Sequence, residues 1–287
     1  MKKKEVVMKK LLLIILLVLT GCQHAAAPTT KKSMRIISLM PSNTEILYRL
    51  GLDRNIVGVS TVDDYPKDVA TKQQFDSFNL NKEALLKAQP TLIVAHESAK
   101  AAEEKILSAL QQKGIKVIYV KDATSLTEID DTFMQIAKAT DRVKEGRQLS
   151  AEVNKEIKEV SRKYPAAAGS RVFMEVSGEP EIYTGGRGTL FDDMLTTLHA
   201  TNVFHDIEGW QPVSKEAIVR KNPDILITTS GQQEADYRKT VDGRGGFRQV
   251  TAVKKSRVYA LNDDLLSRPG PRIAKGLEAL AAVLADK

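Results

Sequence analysis

The chain has 287 residues, an ordinary globular composition and a formal net charge of +7. Five lysines and one glutamate within residues 1–21 supply four of those charges, so the remainder carries +3 (7 minus 4), which gives no basis for a nucleic-acid-binding protein. The one cysteine, Cys22, excludes a scaffold held together by intrachain disulfides. The length is sufficient for one large domain or two modest domains.

Residues 1–21 have the pattern of a lipoprotein signal peptide. Lysines precede the apolar run Leu11–Leu19, which is too short to cross a membrane as a helix. The stretch Leu19–Cys22 resembles a bacterial lipobox, which implies that Cys22 carries lipid and anchors an extracytoplasmic protein to the cell membrane. The alternative is an uncleaved anchor with an incidental cysteine. Residues 22–33 offer little to bury and are predicted to be a flexible linker.

Strands and helices alternate along the rest of the chain, which predicts an α/β fold with parallel sheets. In the first half, strands are predicted at 35–40, 56–60, 92–95 and 116–120, and helices from 42 or 43 to 50 and at 81–88, 99–112 and 126–139. In the second half, strands are predicted at 171–176, 225–230 and 257–261, and helices at 190–199, 215–220 and 271–285.

A long amphipathic helix is predicted from about Arg142 to Lys163, because Leu149, Val153, Ile157 and Val160 form one apolar stripe. About twenty-two residues would span roughly 33 Å, about the width of a small domain. We interpret this helix, at 141–164, as a bridge between an N-terminal lobe at 34–140 and a C-terminal lobe at 165–287, with the function in the cleft between the lobes. The alternative is one more crossover helix within a single large sheet.

Ligands of open α/β sheets collect beyond the carboxyl ends of the strands, and the loops predicted there are rich in aromatic and isolated polar residues. The catalytic templates are absent: there is no Gly-x-Ser-x-Gly, no phosphate loop, no His-Glu-x-x-His and no pair of cysteines. The four histidines are too dispersed to predict a metal site. We therefore expect no catalytic residue and no enzyme activity. The candidate ligand-binding residues are Tyr65, Phe78, His96, Tyr183, Arg187, Trp210 and Arg268.

Several of these candidates also have a structural interpretation. Trp210 and Tyr65 lie in proline-containing loops, which favours ligand contact, although Trp210 could fill a core. His96 follows a strand and is either a ligand group or a surface residue. Arg268, between Ser267 and Pro269, could present its guanidinium to an anionic ligand or face solvent.

Motifs spread over the chain resemble the periplasmic metal-chelate binding proteins of ABC importers, most closely the cobalamin-binding branch. They are Arg35–Leu39 with Pro41–Glu45, Asp64–Pro66, Pro212–Glu216 and Ser267–Ile273. The resemblance implies two α/β lobes bridged by one long helix, with cobalamin, a ferric siderophore or haem bound between them. It also implies docking onto the permease through one glutamate on each lobe.

By position, Glu83 and Glu216 match the docking glutamates; a structural role near the positive end of a helix is the alternative. In the cobalamin branch, the positions that match Tyr65 and Trp210 contact the corrinoid. The chain departs from that branch at Phe78 and at His96, where tryptophan would be expected. His96 or Tyr183 could therefore serve an iron centre, and a carboxylate siderophore would find Arg187 and Arg268.

These observations predict a monomeric, lipid-anchored solute-binding protein that captures a metal chelate, foremost cobalamin or another corrinoid. Its partners would be the permease of an ABC importer and, through it, the ATPase, with no nucleic acid. No resident cofactor is expected, because the metal would arrive within the ligand. The alternatives are a ferric siderophore or haem receptor, a secreted metal-dependent hydrolase, and an adhesin or surface scaffold.

Overall fold

The computed structural model describes residues 33–165 and 169–286, and the residues from 34 onward form one compact unit. The predicted signal peptide at 1–21, the predicted lipidation site Cys22 and nearly all of the predicted linker at 22–33 lie outside the described residues. Within the described ranges, none of the helices is both long enough and apolar enough to cross a membrane.

The first half of the chain builds a five-stranded parallel sheet of order β3-β2-β1-β4-β5. Its interior strand β4 is buried along its whole length, as expected for a parallel strand covered on both faces. The strand order reverses direction between β1 and β4, which opens a crevice at their carboxyl ends. The strands are β1 (Ile36–Ser38), β2 (Ile56–Ser60), β3 (Gln73–Phe75), β4 (Leu92–His96) and β5 (Lys116–Val120).

Four helices cover this sheet: α1 (Pro41–Arg49), α2 (Lys82–Lys87), α3 (Lys100–Gln111) and α4 (Ile129–Ala139). Helix α1 begins at Pro41, with Met40 in the capping position, rather than after Ser42 or Asn43 as predicted. Proline is tolerated at the first helical position because the amide hydrogen that it lacks has no partner there. The helix therefore begins immediately beside the carboxyl end of β1.

The predicted bridging helix is present as α5 (Val143–Lys163), and Leu149, Val153, Ile157 and Val160 are buried along one side of it. It packs on α4 of the first half and on the C-terminal helix of the second half. A single hydrophobic cluster runs from the first sheet through α5 into the second sheet. The fold is thus α/β, with two parallel-sheet lobes joined by one long helix; the lobe boundaries at 140 and 165 stay predictions.

The second half contains a parallel sheet of order β11-β10-β6-β8 and a separate antiparallel pair, β7 with β9. The strands are β6 (Arg171–Glu175), β7 (Ile182–Gly185), β8 (Thr201–Asn202), β9 (Trp210–Val213), β10 (Ile225–Thr228) and β11 (Val258–Ala260). The helices are α6 (Leu190–Thr197), α7 (Lys215–Lys221), α8 (Glu234–Gly243), α9 (Thr251–Lys254), α10 (Asp263–Leu266) and α11 (Ile273–Ala285).

The antiparallel pair corrects the prediction that Trp210 lies in a loop, because Trp210 begins β9 and pairs with Gly185 of β7. The sequence concealed this strand because Pro212 interrupts it. Proline lacks a ladder donor and is confined to edge positions of sheets, which a two-stranded sheet supplies.

An ion pair lies inside the second half, where Arg244 donates to both carboxylate oxygens of Glu175 at 2.5 and 2.7 Å. The side chains are 3 % and 0 % exposed, and the Tyr237 hydroxyl lies 3.2 Å from the same carboxylate. Because a buried charge without a partner is strongly unfavourable, this cluster fixes α8 against the end of β6.

Candidate ligand-binding site

A cleft of about 460 Å³ lies at the crevice predicted from the strand order. One wall comes from the residues that follow β1, β4 and β5, and the other wall comes from the β7–β9 pair and the segment after α10. The lining residues are Met40, Ser42, His96, Ser98, Asp122, Ala123, Thr124, Gly188, Thr189, Leu190, Gly209, Trp210, Leu266, Ser267, Arg268 and Pro269.

Trp210 provides the large aromatic surface of this cleft and is 46 % exposed. Its indole ring lies against the backbone of Gly185: a Cβ atom at that position would be 2.9 Å from ring atom Cζ3 and 2.9 Å from Thr189 Oγ1. Only glycine allows this approach. The ring is therefore held against β7 while it leaves apolar surface open to a ligand.

His96 ends β4 and is buried, with Nδ1 2.8 Å from Ser98 Oγ and 3.1 Å from Asp122 Oδ1. Burial lowers the pKa of His96, and the nearby Asp122 carboxylate only partly opposes this shift, so the imidazole is neutral at pH 7. The carboxylate favours a proton on Nδ1. No hydrogen-bond partner is found for Nε2 in the described part of the chain. The sequence did not single out Ser98 or Asp122; their signal is their position just after β4 and β5.

Arg268 lies at the centre of an ionic cluster that joins the two halves of the chain. Its Nη1 is 2.6 Å from Asp64 Oδ1 and 3.6 Å from Glu45 Oε1, and its Nη2 is 2.6 Å from Asp264 Oδ1. Arg272 donates to both oxygens of Glu45 at 2.8 and 2.6 Å. Arg268 thus lines the cleft, but its donors are directed at carboxylates of the protein itself.

The other predicted ligand-binding residues lie at different distances from this cleft. The Tyr65 ring lies 4.0 Å from the guanidinium carbon of Arg272, at the margin of the ionic cluster. Arg187 pairs with Glu208 at 2.8 Å and precedes the lining residue Gly188. Phe78, 84 % exposed, and Tyr183, half-buried within β7, are not among the lining residues.

The structure therefore brings together three of the seven candidates, His96, Trp210 and Arg268, and puts Tyr65 and Arg187 beside them. The contacts of all seven with a ligand stay predictions.

Glu83 and Glu216, the predicted docking residues, are exposed in the first turns of α2 and α7. Each helix is already capped, since the side chains of Asn81 and Ser214 accept hydrogen bonds from the first-turn backbone. Neither glutamate forms a salt bridge within the ranges 33–165 and 169–286. Both carboxylates are therefore exposed and accessible to a partner.

Another hollow, of about 580 Å³, lies on the outer face of α5. Its lining comes from one helix and contains no aromatic side chain: Ala151, Asn154, Lys155, Lys158, Glu159 and Arg162. We assign the site to the cleft instead. Across residues 33–165 and 169–286, no group of three or more His, Cys, Asp or Glu side chains is arranged to hold a metal ion.

The sequence pattern of the periplasmic binding protein family matches residues 36–265. Among curated proteins, the chain is 39 % identical over 254 residues to the uncharacterized ABC transporter substrate-binding lipoprotein YvrC of Bacillus subtilis (strain 168), covering 88 % of this chain and 80 % of the relative. It is 29 % identical over 254 residues to the vitamin B12-binding protein of Salmonella choleraesuis (strain SC-B67), covering 88 % and 90 %.

Among solved structures, the chain is similar to a possible iron-binding, periplasmic solute-binding protein of Staphylococcus epidermidis ATCC 12228. The identity is 52 % and the TM-score is 0.84, and the match covers 89 % of this chain and all of the other. These matches are consistent with the fold and with a cleft at the point where the strand order reverses. The chain belongs to the periplasmic binding protein family, and its relatives include a substrate-binding protein of an ABC transporter.

Proposed function

We propose that this protein is the extracytoplasmic, lipid-anchored receptor of an ABC importer, and that it captures a metal chelate, foremost cobalamin or another corrinoid. One observation carries the proposal. The exposed indole of Trp210 lines a cleft between two lobes, in a chain that belongs to a family of substrate-binding proteins. The named vitamin B12-binding relative supports the corrinoid as the ligand.

The chemistry of the cleft suits the capture of a planar chelate. An aromatic surface offers apolar contact, and a few fixed polar groups orient the ligand. A corrinoid is larger than a cleft of about 460 Å³, so part of it would remain at the mouth, beside Tyr65 and Arg187. The continuous core through α5 keeps both walls in place before binding, which lowers the ordering cost of association.

Delivery would use the two exposed glutamates, Glu83 and Glu216, one on each lobe. Charge pairs with arginines of the permease would set the register of docking. Lipid on Cys22, with residues 23–33 as a tether, would keep the receptor at the membrane as a monomer. No covalent step belongs to this function, and we propose that the protein is not an enzyme.

Titration with cyanocobalamin, haem and a set of ferric siderophores tests the proposal. Trp210 is the only tryptophan, so quenching of its fluorescence reports on the cleft directly. Saturable quenching by cyanocobalamin is the expected result. Silence from every ligand in both fluorescence and calorimetry would refute the transport function.

Aromatic truncation then tests the site. Trp210→Ala and Tyr65→Ala should each weaken binding about tenfold or more in calorimetry, because truncation removes buried aromatic contact of about 1.5 kcal/mol or more. Both side chains are more than 40 % exposed, so the melting temperature should hardly change. Phe78→Ala is the matched control, because Phe78 is an exposed aromatic residue that does not line the cleft. Weaker ligand binding by this variant would extend the site to Phe78. Unchanged affinity in the Trp210→Ala, Tyr65→Ala double variant would refute the site assignment.

A haem or ferric siderophore receptor is the second candidate, and the geometry of His96 favours it. A neutral imidazole with Nδ1 held by a carboxylate and Nε2 open is the arrangement that binds iron or cobalt through Nε2. The absorption spectrum of added haem should then change on binding, and His96→Ala should abolish that change. If haem gave the same spectrum with the parent protein and with His96→Ala, the geometry of His96 would no longer support a haem receptor.

A further inference from the structure

The charged groups in and around the cleft indicate which ligands it can accept. Arg268 is the only arginine or lysine among the lining residues, and its two terminal nitrogens lie 2.6 Å from Asp64 and Asp264. Its side chain is 17 % exposed, which leaves little room for a further partner. A ligand carboxylate would have to displace a carboxylate that is already bound there.

The surrounding groups make the cleft negative. Three carboxylates surround the pair of Arg268 and Arg272: those of Glu45, Asp64 and Asp264. With the carboxylate of the lining residue Asp122, they outnumber the two guanidinium groups by two (four minus two). Arg187 at the rim adds no charge, because Glu208 neutralises it. Burial raises the pKa of Asp264, and the neighbouring Asp64 carboxylate raises it further.

This excess acts on any charge that a ligand brings. Two uncompensated negative charges about 10 Å from a ligand carboxylate, at an effective dielectric constant of about 40, weaken binding roughly tenfold. The same field leaves a neutral amide unaffected and attracts a cation. Salt weakens the effect where the charges are exposed, because the screening length is about 10 Å at 0.1 M.

We infer that the cleft selects chelates by peripheral charge: it accepts ligands with amide or hydroxamate groups, neutral or cationic overall, and rejects carboxylate-bearing ligands of the same size. Arg268 contributes as a positioning residue that holds the acidic groups at the cleft, rather than as an anion receptor. The inference rests on the proposed capture of a chelate and specifies its chemical class.

The test compares cyanocobalamin with its derivatives in which one peripheral amide has been hydrolysed to a carboxylate. The two ligands have nearly the same size and differ by one charge. With the purified full-length protein in low salt, the carboxylate form should bind roughly tenfold more weakly, and the ratio should approach one in about 0.5 M salt. Equal affinities in low salt would overturn the inference and leave the proposed function intact.

Two variants keep the test independent of folding. Asp122→Asn removes one negative charge from the cleft lining, and Asp264→Asn removes one from the ionic cluster beside the cleft. Each variant should bring the affinities for the amide and carboxylate ligands closer together. Glu159→Gln is the control: it also removes one negative charge, but from the outer face of α5, and should leave the ratio of the two affinities unchanged. A ratio that stays constant in both cleft variants would also overturn the inference.

Failure of cyanocobalamin to bind would refute the corrinoid proposal separately. In that case, two ferric chelates of different charge test whether the cleft selects ligands by charge. Binding of ferrioxamine B, a cationic hydroxamate, but not of ferric citrate would support it. Binding of ferric citrate or of haem, which bears two carboxylates, would overturn it. Binding of none of the ligands, haem included, would overturn both proposals.

Discussion

Glu103 of α3 provides a quantitative test of the structure. The residue is 3 % exposed, and neither carboxylate oxygen has a hydrogen-bond partner among the described residues. Burial raises the pKa of Glu103 from its ordinary 4.5 to about 7. The folded chain therefore binds this proton more tightly than the unfolded chain, and the free energy of unfolding falls as pH rises between these two values.

The size of the effect follows from the shift. A change from 4.5 to about 7 at 1.36 kcal/mol per unit gives about 3 kcal/mol of stability that is present below pH 4.5 and lost above pH 7. Glu103→Gln keeps the shape of the side chain and cannot ionise. It should match the parent protein near pH 4.5 and exceed its stability by about 3 kcal/mol at pH 8.

The assay is urea unfolding at several pH values between 4.5 and 8, with each variant compared with the parent protein at the same pH. Glu104→Gln is the matched control, because the neighbouring Glu104 is exposed and should shift stability by less than about 0.5 kcal/mol. The difference between Glu103→Gln and the parent must grow with pH. A difference that is constant across the range would refute the burial argument.

Three further predictions concern the site, the partner and the core. Gly185→Ala should displace the cleft tryptophan and weaken ligand binding about tenfold, as calorimetry would measure; unchanged affinity would contradict the close packing of the ring. Reversing both charges with Glu83→Lys and Glu216→Lys should abolish uptake in cells while ligand binding persists, and loss of binding itself would indicate a structural role. Glu175→Gln should lower the free energy of unfolding by about 3 kcal/mol, because it leaves Arg244 buried beside a neutral amide; a change below about 1 kcal/mol in urea unfolding would contradict this.

Local sequence patterns predicted the fold well where one periodicity dominates. The strands Ile56–Ser60 and Lys116–Val120 occur with the predicted bounds, and the stripe along the bridging helix predicted which side of it is buried. In these segments the burial pattern and the intrinsic preferences agree. The β7–β9 pair was missed because its strands are short and one contains Pro212.

The ionic cluster could not be predicted from sequence for a different reason. Arg268 and Asp64 are 204 residues apart, and Arg272 and Glu45 are 227 residues apart. No local pattern carries information about contacts between such distant positions. From its turn alone, Arg268 was expected either to contact an anionic ligand or to face solvent. Only the fold reveals that acidic residues from the other end of the chain already occupy its donors.

The same separation determines when the site is completed as the chain is made. Glu45 lies near the beginning of the folded unit and Arg272 near its end, yet their side chains are paired beside the cleft. A chain emerging from its N-terminus can assemble the first sheet early, but it lacks the partner of Glu45 until nearly the whole sequence is available. The ionic cluster can therefore form in full only when nearly the whole sequence is available, and a chain that ends before Arg268 lacks both of its arginines.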